Sequence, residues 1–243
     1  MRLLLHACCG PCSLEPTRLL RAAGHDLTIL YANSNIAPAE EYAHRLATLR
    51  AWAEDERLPV VEGAYDPERW EAGPGRIGEA QGDPVRREAR CRACYRLRLE
   101  EAATYASQAG FDGVGTTLSV SPYQYADVIR DELERAAAQA GVAAVFEDFR
   151  PFYDQATRRS RALGMYRQNY CGCRFSDAEA AAERAERKAA RAADAAARAE
   201  ERTASEAAQA ARRAERQAYA EKQAKKRAVL KALREQERSN TAE

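Results

Sequence analysis

The chain has 243 residues, which is enough for one sizeable domain with an appendage. Its formal net charge is only +1, so bulk charge does not indicate a nucleic-acid-binding protein. No apolar stretch approaches the roughly 18 residues that a membrane span needs, and the amino-terminal MRLLLHACC lacks the long apolar segment of an export signal. We therefore expect a cytoplasmic protein whose cysteines stay reduced.

Apolar runs that predict strands alternate along the chain with patterns of helical spacing. The predicted strands cover Arg2–Ala7, Asp26–Ala32, Val60–Gly63, Gly113–Leu118 and Ala143–Phe149, and the predicted helices cover Leu14–Ala23, Glu40–Arg57, Cys91–Gln108 and Tyr125–Ala140. Gly24, Gly110 and Gly141 stand where helices are expected to end. This alternation predicts an α/β fold with an open parallel sheet.

The ligand crevice of an open α/β sheet lies at the carboxyl ends of its strands. Cys8 and Cys9 directly follow the first predicted strand, and residues 33–35 and 116–121 follow two others, so we expect these loops to share one face. Ser13 is the expected N-cap of the first helix. Thiols at a helix start lie near unpaired backbone N–H groups, which favour the thiolate.

Seven cysteines fall in three tight groups, and such groups in a chain without an export signal are typical of metal binding or electron transfer. The groups are Cys8-Cys9-Gly10-Pro11-Cys12, Cys91-Arg92-Ala93-Cys94 and Cys171-Gly172-Cys173. Cys91 and Cys94 are three residues apart at the start of a predicted helix, so their thiols are expected on one side of it. The basic residues expected to offset their charge are Arg86, Arg87, Arg90, Arg92 and Arg96. Four thiolates from two helix starts suit a 4Fe-4S cluster or a structural zinc, and the adjacent pair favours the cluster.

The Cys171-Gly172-Cys173 segment points to a different chemistry. A disulfide across one intervening residue closes a small, strained ring, and strain makes a disulfide easier to reduce. Such a pair suits storage of two electrons, whereas two further metal ligands remain the alternative. Cys12 is left with three open roles: lining the site, binding a second metal, or packing under the first helix.

Two segments lie outside this pattern. Residues 73–84 are rich in Gly and Pro, which predicts a loop that is either a lid or a surface insertion. Residues 177–243 contain no Gly or Pro and are dominated by Ala, Arg and Glu, which predicts a helical, partly frayed tail after a catalytic domain in residues 1–176. The stretch Ala207–Arg238 holds ten basic and four acidic residues, which leaves RNA contact and a plain solvated surface both open.

The motifs together resemble the QueH family of epoxyqueuosine reductases. The similar segments run in the family's order over nearly all of residues 1–176: LLLHACCGPCS (3–13), YANSNIAPAEEYAHRL (31–46), EGAYDPERW (62–70), RCRACYRLRLEEAA (90–103), GTTLSVSPY (115–123) and MYRQNYCGCRFS (165–176). The cysteine pair, the C-x-x-C-Y-x-L-R-L and the C-G-C make this a specific match, and the tail lies outside it.

The resemblance implies a fold, an activity and a set of site residues. It implies a Rossmann-like sheet akin to adenine-nucleotide alpha-hydrolase domains. It also implies reduction of epoxyqueuosine to queuosine at the tRNA wobble position, the last step of queuosine biosynthesis, without cobalamin and with electrons from an external donor. On this pattern Cys8, Cys9, Cys91 and Cys94 would hold a 4Fe-4S cluster, and Cys171 and Cys173 would form a redox-active disulfide. A second iron near Cys12 is a further expectation.

Some roles stay open at the level of the sequence. Candidate proton donors or substrate contacts near the C-G-C are Tyr166, Tyr170, Asp154 and Arg167, and candidate stacking residues for an unpaired base are Tyr123, Tyr125 and Tyr166. Three rival functions remain: an ATP-dependent tRNA sulfur transferase, a zinc-stabilised RNA-binding module, and a metal-free thiol–disulfide oxidoreductase. The first would need a Gly/Ser-rich phosphate loop where Cys-Cys-Gly-Pro-Cys stands.

Overall fold

In a computed structural model, the chain is described over residues 1–78 and 83–240, with side chains through residue 231. The described residues contain one five-stranded sheet, whose strands are all parallel and stand in the order β3-β2-β1-β4-β5. The strands are β1 (Arg2–His6), β2 (Asp26–Tyr31), β3 (Val60–Glu62), β4 (Gly113–Thr116) and β5 (Ala143–Val145). The predicted open parallel α/β sheet is confirmed.

Helices connect each strand to the next along the chain, and two further helices follow the last strand. They are α1 (Gly10–Ala22), α2 (Ala39–Asp55), α3 (Pro67–Trp70), α4 (Pro84–Gln108), α5 (Ala126–Ala140), α6 (Tyr153–Ala162) and α7 (Ser176–Asn240). The short helices α3 and α6 were not predicted, because four to ten residues are too few for a clear 3.6-residue repeat. The predicted stop signals are confirmed at Gly24, Gly110 and Gly141, whose φ angles are +84°, +70° and +73°.

Helix α4 begins seven residues earlier than predicted. Its cap is Asp83, whose Oδ1 accepts hydrogen bonds from the backbone N–H groups of Val85 (3.0 Å) and Arg86 (3.1 Å), and Pro84 occupies the first turn. The prediction that Cys91 and Cys94 stand at a helix start is therefore wrong. They lie in the second and third turns, where the unpaired N–H groups of the helix start do not reach them.

The two faces of the sheet bury separate hydrophobic clusters. Leu3 and Leu5 of β1 pack with α1, α2 and α6 on one face, and Leu4 packs with α4 and α5 on the other. All three leucines are fully buried, which is the pattern of a central strand in a parallel sheet. Burial of each such side chain contributes about 1.5–3 kcal/mol. This packing holds the start of α1 and the middle of α4 next to the sheet.

The carboxyl ends of three strands meet as predicted. His6 Nδ1 lies 3.0 Å from Thr116 Oγ1, so the ends of β1 and β4 are joined. The Asn33 side-chain N–H donates to the carbonyl of Ala7 at 2.9 Å, which joins the loop after β2 to the same edge. The crevice that the fold provides therefore opens beside Cys8 and Cys9.

The predicted loop over residues 73–84 is only partly tested. Its start belongs to a turn of π-helix, Glu71–Gly75, which continues α3. Residues 79–82 lie outside the described residues. The expectation of a loop is therefore wrong for residues 73–77, which continue the capped turn that Asp66 begins, and for Pro84, which starts α4.

The chain separates into two compact units, Met1–Ala182 and Glu183–Glu243. The first contains the sheet and every cysteine. The described residues of the second belong to α7, and their described side chains are almost all exposed. None of the helices within the described ranges combines the length and the apolar character that crossing a membrane requires.

Candidate active site with two thiol groups

The first thiol group is formed by Cys8, Cys9 and Cys12 in the turn from β1 into α1. Their Sγ atoms all lie within 4.8 Å of one another, and the Cys8 and Cys9 sulfurs are 3.8 Å apart. The N-cap of α1 is Cys9, so the prediction of Ser13 as N-cap is wrong. Ser13 instead lies one turn into the helix and donates from Oγ to the Cys9 carbonyl at 2.8 Å. The expectation that Cys8 and Cys9 stand at a helix start is confirmed.

The three thiols of this group differ in their readiness to ionise. Hydrogen bonds from the thiols of Cys12 and Cys9 hold the pKa of Cys8 well below its usual range, although burial opposes this. The Cys12 thiol also favours ionisation of Cys9, but the hydrogen bond to Cys8 and burial outweigh it and raise the pKa of Cys9 to about 12. Cys8 is therefore the thiol of this group that ionises most readily, and the three thiols could hold a metal ion.

The second thiol group lines a single pocket and comes from two distant stretches of the chain. Cys91 and Cys94 lie on α4, and Cys171 and Cys173 lie just before α7. The pocket is completed by Trp70, Arg87, Arg90, Tyr95, Tyr123, Gln124, Ser176 and Glu179. The prediction that Cys91 and Cys94 face one side of their helix is confirmed. Cys94 and Cys173 pack directly with Trp70 and Phe175 in a small buried cluster.

The Cys171-Gly172-Cys173 turn is held through its backbone. Arg45 Nη1 donates to the Cys171 carbonyl at 2.8 Å, and the Ala37 N–H donates to the Gly172 carbonyl at 2.9 Å. The Gly172 N–H donates to Ser176 Oγ at 3.0 Å, and that hydroxyl donates to the Cys173 carbonyl at 2.7 Å. Four backbone groups of this turn therefore have fixed partners.

Glycine is required in the middle of this turn. Gly172 has a φ of +125°, and a Cβ there would lie 3.0 Å from Ile36 Cγ1 and 3.1 Å from Arg45 Nη1. All seven cysteines, each within the described part of the chain, are free thiols. The backbone hydrogen bonds on both sides of Gly172 thus fix the positions from which the two sulfurs of the C-G-C project.

Arg98 lies beside both thiol groups and was missed by the sequence analysis. It is fully buried on α4, and its Nη2 donates to the Asn33 side-chain oxygen. Burial alone would lower the pKa of Arg98, but its interaction with the ionisable thiols of Cys94, Cys171 and Cys8 raises it. Only its position one helical turn after Cys94 could have revealed it, because residues four apart lie on the same helix face.

The arginines expected around Cys91 and Cys94 divide into two sets. Arg87 and Arg90 line the pocket, and the buried Arg90 binds both carboxylate oxygens of Glu179 at 2.6 Å. Arg92 and Arg96 instead pair with Glu132 on α5, so they do not offset thiolate charge as predicted. Arg86 lies at the exposed helix start. Glu179, which the predicted domain boundary at residue 176 leaves outside, belongs to this pocket.

The aromatic candidates near the site lie in different places. Tyr123 lines the pocket with 47% of its surface exposed. Tyr166 stacks on His44 with ring centroids 3.8 Å apart and donates to Glu41, which raises the pKa of Tyr166 to about 12. Tyr170 lies under the Arg45 guanidinium at 5.0 Å. Tyr123 is therefore the tyrosine of this set best placed to meet a ligand.

The remaining candidates do not line the pocket, although Tyr125 directly follows Gln124, which does. Arg167 binds the Thr157 carbonyl at 3.0 Å and the Ser160 hydroxyl, both on α6. Tyr125 packs against the cluster formed by α4 and α5, just before α5 begins. Asp154 is exposed in the first turn of α6. Arg167 and Tyr125 therefore stabilise elements next to the site, and Asp154 lies on the surface near it.

Comparison with known proteins identifies the family. The family model described as "Epoxyqueuosine reductase QueH" matches residues 3–179. The chain is 33% identical over 181 residues to the epoxyqueuosine reductase QueH of Histophilus somni, with 72% of each chain covered. The corresponding protein of Thermotoga maritima is 32% identical over 185 residues, which cover 75% of this chain and 94% of that one.

Solved structures add only a distant likeness. A predicted subunit of tRNA methyltransferase from Methanocaldococcus jannaschii superposes with a TM-score of 0.40 at 9% identity, covering 67% of this chain and 88% of that one. The match of the family model covers the sheet, both thiol groups and Glu179. The chain therefore belongs to the QueH family of epoxyqueuosine reductases.

Proposed function

We propose that this protein reduces epoxyqueuosine in tRNA to queuosine at the wobble position, with a 4Fe-4S cluster and a redox-active cysteine pair. The observation that carries this proposal is the pocket in which Cys91 and Cys94 face Cys171 and Cys173. Family membership supports the reaction. The proposed cluster would draw ligands from both thiol groups, which Arg98 adjoins, and the C-G-C pair would keep a separate task.

Cys8, Cys9, Cys91 and Cys94 would hold the cluster. Cys8 and Cys91 pack against the same hydrophobic cluster on one face of the sheet, and Arg98 lies beside both Cys8 and Cys94. A cluster with four thiolates carries net negative charge, which a buried arginine stabilises. Among the described residues Arg98 Nε is buried without a hydrogen-bond partner, so it retains a donor for such a group.

Cys12 would complete a second metal position next to the first. Its Sγ lies within 4.8 Å of those of Cys8 and Cys9, which favours metal binding over simple packing under α1. Asn35, in the loop after β2, has both side-chain polar atoms buried without a partner in the described residues. It therefore retains a donor and an acceptor for a bound group. A metal at this edge would act as a Lewis acid on the epoxide oxygen.

Cys171 and Cys173 would supply the electrons. Two thiols that become one disulfide release two electrons and two protons. The epoxide takes up both, its two carbon–oxygen bonds break, the ring carbons form an alkene, and the oxygen leaves as water. An external donor then reduces the disulfide back to two thiols. The fixed backbone of the C-G-C turn would keep both sulfurs within reach of each other throughout.

The polar rim of the pocket would receive the modified base. Tyr123 offers an exposed ring for stacking, and Gln124 accepts a hydrogen bond from the Tyr95 hydroxyl at 2.5 Å, which fixes its amide. Because the base must be unstacked to enter, a nucleotide in the anticodon loop suits this rim better than one in a duplex. Tyr95 is fully buried and serves to hold Gln124 in place.

Anaerobic incubation with tRNA that carries epoxyqueuosine and a strong reductant, followed by nucleoside mass spectrometry, tests the reaction. We expect conversion to queuosine by the iron-loaded protein and none by the Cys91→Ser variant. A colourless, zinc-loaded protein that binds tRNA without converting it would favour the zinc-stabilised RNA-binding module. Conversion by protein stripped of all metal would favour the thiol–disulfide oxidoreductase.

A further inference from the structure

The second structural unit, residues 183–243, carries many basic residues, and their order along the sequence is regular. It is helical from Glu183 to Asn240 as part of α7, and the basic side chains between residues 183 and 231 are exposed. The family model ends at residue 179, so this unit lies outside the part that defines the family. Its sequence is rich in alanine, a strong helix former.

The basic residues of this helix lie along one face. At 3.6 residues per turn, eleven of the fourteen basic residues between 183 and 231 fall within a sector of about 120°. We call this sector the basic stripe. Its members are Arg184, Arg187, Lys188, Arg191, Arg198, Arg202, Arg212, Arg213, Arg216, Arg227 and Lys231. Six of the eight acidic residues in the same range lie outside the sector.

The spacing rather than the net charge distinguishes this helix from a plain solvated one. Charges placed only for solubility or for pairs four residues apart need no common face over many turns. One such pair is present, with Arg187 Nη2 2.9 Å from Glu183 Oε2. The whole stripe, which includes Arg187, is about 70 Å long, counted at 1.5 Å per residue from Arg184 to Lys231.

The composition of the other faces argues against two other occupants. The large exposed apolar residues in residues 183–231 are Tyr219, Val229 and Leu230, which are too few for a coiled-coil seam or for the apolar face of a membrane-surface helix. A second copy of the same stripe would also be repelled by like charge. A polyanion with charge at regular intervals is the partner that the stripe complements.

We propose that the basic stripe binds the phosphate backbone of the substrate tRNA at a distance from the wobble nucleotide. This rests on the proposed function for the choice of tRNA as the polyanion. The stripe would raise the affinity for whole tRNA without taking part in the chemical step. Exposed Arg and Lys side chains contact phosphates without reading sequence, so binding would be independent of the modified base.

The test uses the full-length protein and an unmodified tRNA transcript as the probe. The stripe variant replaces Arg212, Arg213 and Arg216 with Gln, and the matched control replaces Lys222, Lys225 and Lys226, which lie outside the stripe, with Gln. Both variants lose the same charge, and Gln keeps helix propensity close to that of Arg and Lys. Circular dichroism verifies that helix content is equal in both.

We expect the stripe variant to bind the transcript at least tenfold more weakly at ~0.1 M salt, and its salt slope to fall by about 2 to 3, because each lost phosphate contact removes about one unit. The control should change affinity by less than about threefold. Equal loss in both variants would overturn the proposal, since it would assign the effect to net charge. Unchanged binding in both, or tight binding to anionic vesicles in place of tRNA, would also overturn it.

A second readout separates this proposal from the proposed function. On whole tRNA carrying epoxyqueuosine, the stripe variant should have a raised KM and an unchanged kcat. If wild-type protein binds the transcript through the stripe but converts no epoxyqueuosine, the proposed function fails and the stripe stands. If wild-type protein converts the substrate and the stripe variant binds normally, only the stripe proposal fails.

Discussion

The two units of this chain use arginine in opposite ways. In residues 1–182 the arginines Arg45, Arg90 and Arg98 are buried to 1–2% exposure beside thiols, and each binds a carboxylate, a carbonyl or an amide. In residues 183–231 the arginines are exposed along one helix face. A buried guanidinium is stable only where anions and acceptors compensate its lost hydration, whereas an exposed one keeps its water until a partner arrives. The buried arginines of the first unit therefore suit stabilisation of negative charge at the thiol site. The exposed arginines of the second unit suit binding of an external anion.

The cysteine pair gives the largest expected effect within the first unit. Cys171→Ser and Cys173→Ser should each lower turnover by at least about 10³-fold, because neither variant can form the two-electron disulfide. Iron content should stay at the wild-type level, since the proposed cluster ligands are untouched. Single-turnover assays and metal analysis on the same samples check this. Ser107→Ala on the exposed end of α4 serves as the control. Loss of iron in either variant would show that the pair ligates the metal centre.

Arg45→Lys tests whether a buried arginine positions the C-G-C turn. Lysine keeps the charge but not the planar fork that reaches the Cys171 carbonyl and Glu41 together. Loss of a charged hydrogen bond of about 1.5–3 kcal/mol should lower turnover roughly tenfold or more. It should also shift the reduction potential of the cysteine pair, which a purely structural role would leave unchanged. The matched control is Arg50→Lys on the same helix, where the pair with Glu62 is half-exposed. An unchanged potential in Arg45→Lys would contradict the positioning role.

Glu132→Gln probes the buried ion network that joins α5 to α4. Glu132 is 2% exposed and receives hydrogen bonds from Arg96 and Arg135. Burial opposes ionisation, but these arginines outweigh it and lower the pKa of Glu132 to about 2. Because this pKa lies below that of the unfolded chain, the carboxylate stabilises the fold above about pH 4.3, and the contribution is lost as pH falls towards 2.

We expect Glu132→Gln to lower the free energy of unfolding by about 2 kcal/mol at pH 7, after allowance for solvent screening at the half-exposed arginines. The difference from wild type should shrink below about pH 4. Urea unfolding at several pH values measures it, with Glu134→Gln at an exposed position of α5 as the control. A difference that is constant with pH would contradict the assigned pKa.

Alanine-to-glycine changes, which need no change of charge, compare the stability of the two units directly. Ala103 is fully buried on α4, and Ala103→Gly should cost about 2 kcal/mol from lost burial and helix propensity. This should lower the melting temperature of the first unit by roughly 5 °C. Ala196→Gly at an exposed position of α7 should reduce helix content while leaving that melting temperature unchanged. Equal shifts in both variants would show that the two units unfold together.

The order and type of the main elements could be predicted from the sequence because apolar runs, helical spacing and stop glycines agree with one another. The sheet edge that holds Cys8 and Cys9 follows from that order, since parallel strands place their carboxyl ends together. Helix starts were less predictable. Asp83-Pro84 is a clear signal for a helix start. The residues between it and Cys91 are mostly polar and show no helical repeat of apolar residues, so α4 was predicted only from Cys91 onward.

The supporting residues of the site could not be predicted, because they act across long separations in sequence. Arg45 reaches Cys171 over 126 residues, and Arg90 reaches Glu179 over 89. No local pattern marks such partners, and the arginines nearest in sequence to Cys91 divide between the pocket and Glu132. What could be predicted was the local grouping of the cysteines: Cys8 and Cys9 stand at the start of α1, and Cys91 and Cys94 share one side of α4. The assignment of the four to one cluster stays a prediction.

Anaerobic metal analysis of the wild type, Cys8→Ser and Cys91→Ser tests the central claim most directly, namely that thiols from β1–α1 and α4 share one iron centre. We expect the wild-type protein to be brown, and both variants to lose the visible absorbance and the cluster iron together. Retention of full iron in both variants, or a wild-type protein that contains only zinc, would contradict the account.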